Sequence, residues 1–390
     1  MRPGGGTVNI LTDIIHAGNW DEDPTGASSV PIFRGSTYAQ SDPDARPRWD
    51  YGRSGNPTRA ALEQSIAVLE GGCAGFAFAS GIAAINSVLL TLSAGDHVVV
   101  GEDIYGGTYR SLSVLFRRWN LSTTWVDASD LDAVADAIEP ATKAILVESP
   151  SNPLLRICDL RAVAMLARER GILALTDNTF QTPLLQKPLE LGFHASIHSA
   201  TKFLGGHSDV IAGLVAVSDP EFAQRLYAVQ NGFGAILGPD DSWMVLRGIR
   251  TLAARMEMHQ RHADRLARWL RARAEIAAVH YPGLEDHPGH GIHFSQATGP
   301  GAVLSFDLGD AEKASRFLRS VKLALAAVSL GGVETILSWP SRMSHASMPP
   351  GERLRRGIGD GLLRLSVGLE DPADLELDFD RALAESNKSI

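Results

Sequence analysis

From residue 75 onward the hydrophobic positions fall into short, nearly continuous runs rich in β-branched side chains, at 75–80, 97–102, 122–127, 144–149, 172–177, 195–200 and 213–218. Helix-length segments near 82–93, 108–119, 130–138 and 159–170 separate them. Unbroken apolar runs alternating with helices predict a parallel sheet buried on both faces and built from βαβ units. A long stretch near 241–275, with Arg and Glu spaced on one side of apolar residues, carries the chain out of that unit and marks a boundary. Beyond it a His280-Tyr281-Pro282-Gly283 turn precedes a strand at 302–308, a helix at about 310–320, a strand at 362–370 and a closing helix from Pro372. The first 60 residues, rich in Gly, Pro, Ser and Asp, show no sustained periodicity and read as an extended arm that packs on something else. The expected organisation is an arm at 1–60, an α/β domain at 61–245 with a mostly parallel sheet flanked by helices, and a smaller α+β domain at 246–390.

Composition narrows the function. A formal net charge of −9 leaves no basic footprint for a phosphate backbone, so nucleic acid is not an expected partner. The start Met1-Arg2-Pro3-Gly4-Gly5-Gly6 opens no signal-peptide core, and no apolar run is long enough to span a bilayer. The only cysteines, Cys73 and Cys158, suit a reducing compartment and read as core residues rather than nucleophiles. These features predict a soluble, cytoplasmic protein with no membrane partner. Of the 36 basic residues only six are lysines, at 143, 187, 202, 313, 322 and 388. A lysine among small, uncharged neighbours therefore stands out.

Ligands of parallel α/β sheets bind beyond the carboxyl ends of the strands, which makes those ends the places to look for chemistry. The run at 75–80 ends in Ala79-Ser80-Gly81 and enters a helix, so the Gly81 and Ile82 amides would lie at a positive helix terminus suited to a phosphate. An N-cap serine with an easing glycine explains the same residues, and more simply. Asp177 ends another run; it could pair with a protonated ring nitrogen or a metal, or merely cap the next turn. Lys202 follows Ser199-Ala200-Thr201 and precedes Phe203-Leu204-Gly205-Gly206. A desolvated lysine there would be a nucleophilic amine able to form a Schiff base, and a surface lysine on a loop is an equal alternative. Tyr105, in Asp103-Ile104-Tyr105-Gly106-Gly107, could stack on a ring or simply pack in the core. Together, a phosphate cradle, an acid for a ring nitrogen and an amine for an aldehyde are the parts of a pyridoxal 5'-phosphate site. The His280, His287, His290 and His293 cluster lies in a Pro/Gly loop without a second ligand set, and reads as a solvated loop rather than a metal site.

Eight segments then bear a family resemblance: Tyr51-Gly-Arg53-Ser-Gly-Asn56-Pro-Thr58, Ala79-Ser80-Gly81, Asp103-Ile-Tyr105-Gly-Gly, Glu148-Ser-Pro-Ser-Asn152-Pro, Asp177-Asn-Thr, Ser199-Ala-Thr-Lys202, Ser329-Leu-Gly-Gly and Arg364-Leu-Ser-Val-Gly. In this order they resemble the Cys/Met-metabolism (transsulfuration) family of pyridoxal phosphate enzymes, the cystathionine lyases and synthases, over essentially the whole chain. The resemblance implies an aspartate aminotransferase-like, fold type I transferase fold. It implies that Lys202 joins the cofactor aldehyde and moves protons, that Asp177 keeps the pyridine nitrogen protonated, and that Tyr105 stacks on the ring and helps deprotonate the incoming amine. Ser80, Gly81, Ile82, Ser199 and Thr201 would hold the phosphate, joined by Tyr51 and Arg53 from a neighbouring subunit. Arg364, Asn152 and Ser329 would meet the substrate carboxylate or its surroundings, with Asn152 also near the cofactor and Tyr51 near the substrate. A homo-oligomer, a dimer of dimers, follows, with the arm crossing into the partner.

Within the family, Val328 stands where members that recognise a γ-substrate through an acidic group often carry Glu, although Asp50 could still meet a distal ammonium. Gly107 stands where methionine γ-lyases place Cys, and Leu330 where one β-lyase branch has an aromatic residue. Another β-lyase branch is similar around Ala327–Gly331, Ile336–Pro340, Met343-Ser-His345-Ala-Ser-Met348 and the glycine-rich stretch 231–238. The resemblance thus implies carbon–sulfur β-elimination of cystathionine to homocysteine, pyruvate and ammonia, with γ-elimination or γ-replacement as the alternative. A family fold kept as a non-catalytic binding protein is a further alternative, against which the intact Lys202, Asp177, Tyr105 and Arg364 speak.

Overall fold

The computed structural model describes residues 8–19, 26–42, 44–45, 47–346 and 348–387; the glycine-rich start at 1–6, Ser347 and Lys388 lie outside them. Seven strands form the large sheet: β1 (Ala74–Phe78), β2 (His97–Gly101), β3 (Ser122–Val126), β4 (Thr142–Glu148), β5 (Leu173–Asp177), β6 (Ala195–Ser199) and β7 (Gly213–Val217). Their order is β1-β7-β6-β5-β4-β2-β3. Strands β2 to β6 run parallel to their neighbours, whereas β7 is antiparallel to both β6 and β1. The expected mostly parallel sheet is found, and its departure at β7 has a topological reason. Parallel neighbours need a crossover helix, and the chain between β6 and β7 is instead the turn that carries Lys202. Ala144, Ile145, Leu146 and Val147 of β4 are all buried, as a strand covered on both faces requires.

A smaller sheet follows, in the order β10-β11-β12-β9-β8, from β8 (Ala278–His280), β9 (Val303–Asp307), β10 (Leu325–Ala326), β11 (Ile336–Ser338) and β12 (Leu362–Ser366). All its pairings are antiparallel except β10 with β11. The strand expected at 362–370 stops at Ser366. Beyond it Glu370 turns its carboxylate back to accept from the Thr335 amide and hydroxyl, both at 2.7 Å.

Two predicted helices are broken. The stretch 241–275 is two helices, Pro239–Ile249 and Leu252–Arg271. At the break the buried Arg255 guanidinium donates to Gly248 O at 2.7 Å, a carbonyl that a continuous helix would have used, and also to Phe203 O at 2.7 Å and Thr251 Oγ1 at 3.0 Å. The stretch 108–119 is helix Gly106–Arg110, one π-turn Ser111–Leu115 and a 3₁₀ turn Phe116–Trp119, closed by Asn120 at φ 59°.

The arm is less detached than its composition suggests. It contains helix Ile10–His16, and Ile14 and Val30 are buried in the same core cluster as Leu62 and Ile66 of helix Pro57–Glu70. That helix starts where Asn56 caps the Thr58 and Arg59 amides ahead of Pro57, and stops at Gly71 in the left-handed region. Ile32 and Tyr51, by contrast, are exposed.

Candidate active site

The carboxyl ends of β1, β4, β5 and β6 meet at one edge of the large sheet. Ser80 caps helix Gly81–Leu89 by accepting from the Ala83 amide at 3.1 Å, leaving the Gly81 and Ile82 amides without intrahelical acceptors. The simple capping role of Ser80 is thus realised, and the next two amides are left free at the helix terminus. A Cβ at Gly81 would come within 2.7 Å of Ser199 Cβ, so glycine is what lets β1 and β6 converge here. Ser199 receives order from below: its amide donates to Thr179 Oγ1 at 2.8 Å, and Thr179 donates to Asp177 at 2.5 Å. Thr201 closes the turn through paired bonds with Ala212 at 3.2 and 3.0 Å.

Lys202 follows directly. Its Nζ donates to Ser329 Oγ at 2.5 Å. Burial, and then the positive charge of Arg364, push the amine down from 10.5 to about 8. Ser329 reaches it from a left-handed backbone, φ 90°, and Gly331 packs so closely that a Cβ there would lie 2.6 Å from Phe203 N. The loop after β10 is therefore moulded onto the lysine turn.

Asp177 ends β5 and is buried; burial raises its carboxyl, opposed chiefly by hydrogen bonds from Thr179. Glu148 ends β4 directly opposite it in the strand register. Burial, then the negative charge of Asp177, push Glu148 well above the ordinary carboxylate range. Its Oε2 accepts from the Tyr105 amide at 3.0 Å, fixing the turn that leaves the tyrosine ring 40% exposed at the site. Glu148 was quoted above only as part of a motif. A carboxyl at a strand end beside a second strand-end carboxyl is the signal that marks it.

Arg364, on β12, is buried and donates from Nη1 to Asn152 Oδ1 at 2.9 Å and from Nη2 to Ser329 O at 2.8 Å and Ser338 Oγ at 3.2 Å. Burial lowers it to about 10, so it is charged at neutral pH. Arg364, Asn152, Ser329 and Lys202 thus form one connected group drawn from segments of both sheets. Nearby, Asp103 is buried, hydrogen-bonded by the Ser151 hydroxyl, and raised to about 6 chiefly by burial.

Tyr51 and Arg53 are not part of this group within the chain. Arg53 stacks its guanidinium 5.3 Å from the Tyr51 ring centroid and donates to Asn231 Oδ1 at 3.2 Å, with its backbone carbonyl held by Arg59. Asp50 accepts from the Tyr51 amide at 2.6 Å, and Val328 is exposed. Among the described residues no group of three or more His, Cys, Asp or Glu could hold a metal; His290 and His293 bond backbone carbonyls at 2.9 Å. Cys158 is buried, but Cys73 is exposed, against the expectation that both lie in the core.

These residues fit pyridoxal 5'-phosphate. The free first-turn amides at Gly81 and Ile82 and the hydroxyl of Ser199 suit a phosphate, whereas the Thr201 hydroxyl is engaged with Ala212; Lys202 supplies an amine with a depressed pKa, and Asp177 is a buried acid at the end of the adjacent strand β5. A family model described as Cys/Met metabolism PLP-dependent enzyme matches residues 11–384. The chain is 53% identical over 96% of its length to cystathionine beta-lyase MetC of Bacillus subtilis, covering 96% of that protein. It is 47% identical to the cystathionine gamma-lyase of the same organism, over 95% of this chain and 98% of that one. In structure it superposes on a cystathionine gamma-lyase from Lactobacillus plantarum complexed with L-serine with TM-score 0.96 and 43% identity, covering 98% of this chain and all of the other. The chain belongs to the Cys/Met metabolism family of pyridoxal phosphate-dependent enzymes.

Proposed function

We propose that the protein cleaves the carbon–sulfur bond of cystathionine by β-elimination, giving homocysteine, pyruvate and ammonia. The observation that carries the chemistry is the half-buried Lys202 amine, lowered to about 8 and held by Ser329 beside the charged Arg364. Bound pyridoxal phosphate supplies an electron-withdrawing ring conjugated to the substrate α-carbon. Lys202 takes the α-proton and returns it where the departing sulfur needs one. Asp177 holds the proton of the ring nitrogen. Arg364, oriented by Asn152 and Ser329, accepts the α-carboxylate as a two-pronged donor. Tyr105, kept in place by Glu148, covers the ring.

The β assignment is supported by the 53% identity to a named β-lyase and by Val328, which stands where family members that recognise a γ-substrate through an acidic group often carry Glu. The 47% identity to a γ-lyase supports γ-elimination as the second reading. Incubation of the holoenzyme with cystathionine separates them: pyruvate is expected, and 2-oxobutyrate as the only keto acid would overturn the assignment. Addition of an activated homoserine ester with cysteine tests γ-replacement in the same way.

We also read Tyr51 and Arg53 as phosphate ligands of a neighbouring subunit, in a homo-oligomer of the dimer-of-dimers type. Their position outside the Lys202 group supports this. So does the apolar face on which Trp119 and Phe233, 53% and 61% exposed, stack with ring centroids 6.1 Å apart. Among the described residues no helix is long and apolar enough to cross a membrane. The cytoplasm, where small sulfur amino acids are metabolised, is the proposed location.

A further inference from the structure

The Tyr105 hydroxyl makes no hydrogen bond among the described residues, so the backbone of its turn governs where the ring lies. The ring folds over Gly107, where a Cβ would collide with Tyr105 Cε1. Ahead of the turn, Glu102 is still tied to the sheet, its amide donating to Val126 O at 2.7 Å. Behind it, the Thr108 and Tyr109 amides donate to Tyr105 O at 2.9 and 3.2 Å, which places Tyr109 about one helical turn further on.

One side chain from the far end of the chain grips both flanks. Arg356, 1% exposed, follows helix Pro350–Arg355 and leads towards β12, the strand of Arg364. Its Nη1 donates to Glu102 O, and its Cζ lies 5.3 Å from the Tyr109 ring centroid and 5.6 Å from that of Trp125. Those two rings are themselves 5.1 Å apart, so the guanidinium meets an aromatic pair at cation–π distance. Glu352 neutralises and orients it, accepting from Nε at 2.9 Å and from Nη2 at 2.6 Å. Its neighbour Arg355 adds a bond from Nη2 to Glu102 Oε2 at 2.9 Å. A buried arginine is costly unless every part of it is engaged, and here all three nitrogens and the planar face are used.

We propose that Arg356 is a positioning residue for the cofactor ring. By holding the Glu102 carbonyl before Tyr105 and the Tyr109 ring after it, Arg356 fixes where the tyrosine is presented to the pyridine, and it ties that turn to the segment that carries Arg364. This rests on the reading of Tyr105 as the residue that stacks on the ring.

The test dialyses holoenzyme to equilibrium against graded concentrations of pyridoxal 5'-phosphate and reads the bound cofactor from its absorbance. Tyr105→Leu removes the stacked ring and is expected to weaken cofactor binding by about tenfold. Arg356→Leu is expected to weaken it by about fivefold when Tyr105 is intact. In the Tyr105→Leu background the same change costs less than about twofold, because no ring is left to position. Equal losses in the two backgrounds would make Arg356 a packing residue that reaches the cofactor only through general stability, and would overturn the proposal. Unchanged affinity in Arg356→Leu, beside a weakened Tyr105→Leu, would overturn it as well. If Tyr105→Leu itself binds the cofactor like the parent, the stacking reading fails and the proposal falls with it. Where Arg356→Leu shows no melting transition, Arg356→Lys takes its place in the same cycle, with the same outcomes. It keeps a charge beside Glu352 but lacks the planar fork that reaches the carbonyl and the rings together.

Discussion

A lysine amine attacks an aldehyde only in its unprotonated form, and Lys202 is held near 8 by burial and by Arg364, against 10.5 for an ordinary lysine. Below about 8 the folded apoenzyme carries an ammonium with no lone pair; above it the free amine dominates. The initial rate at which apoenzyme acquires the yellow colour of bound pyridoxal phosphate is therefore expected to rise with pH and level off above about 8. A rate that keeps climbing towards 10.5 would contradict the desolvated environment, and Lys202→Arg should remain colourless at every pH. Lys202 and Asp177 were legible because each sits at a strand end with an unusual chemical identity for its neighbourhood. Glu148 was harder to see. What gives Glu148 its role is its position beside Asp177 and beneath the Tyr105 amide, more than 40 residues earlier in the chain. Spacing along a chain carries no information about such meetings.

Helix Pro57–Glu70 is pinned to the floor of the site by a polar cluster rather than by apolar packing alone. Glu70, fully buried, accepts from His198 Nε2 at 2.6 Å, Ser196 Oγ at 2.7 Å and Asn178 Nδ2 at 3.1 Å. Removing the acceptor takes one hydrogen bond from each of three buried partners, so Glu70→Leu is expected to lower stability to denaturant by about 3 kcal/mol. Adding His198→Leu to that variant should recover part of the loss, because it removes a stranded partner; a single-variant effect below about 1 kcal/mol would show the cluster to be incidental. Elements of this size were mostly readable, since burial sets hydrophobic pattern. Strand direction was not: β7 has the same apolar run as its neighbours, and only the missing crossover helix decides that it runs antiparallel. The break at Arg250–Thr251 also left no Gly or Pro signature beyond Gly248. There Arg255 folds back onto the Gly248 carbonyl of the preceding helix and onto Phe203 O from the lysine turn.

In the assembled molecule, the phosphate site is completed across a subunit boundary if Tyr51 and Arg53 act in trans. Two individually defective chains should then complement. Lys202→Ala retains the arm and Arg53→Ala retains the lysine, so random reassortment gives mixed dimers with one intact site, restoring about one quarter of parental activity. Activity no higher than that of the separate variants would place Arg53 outside the partner's site. The arm itself illustrates the limit of compositional reading. Its Gly- and Pro-rich sequence looked unattached, yet Ile14 and Val30 are buried against the chain's own helices, while Leu11, Ile15, Ile32 and Tyr51 are exposed.

The loop carrying Ser329 and the strand carrying Arg364 both come late in the chain, whereas Ser80, Asp177 and Lys202 come early. During synthesis on the ribosome the amine therefore emerges long before its hydroxyl partner and its cationic neighbour exist. The hydrogen bond to Ser329 and the cationic neighbour that shape the Lys202 amine therefore come into being only after residue 364 has joined the fold.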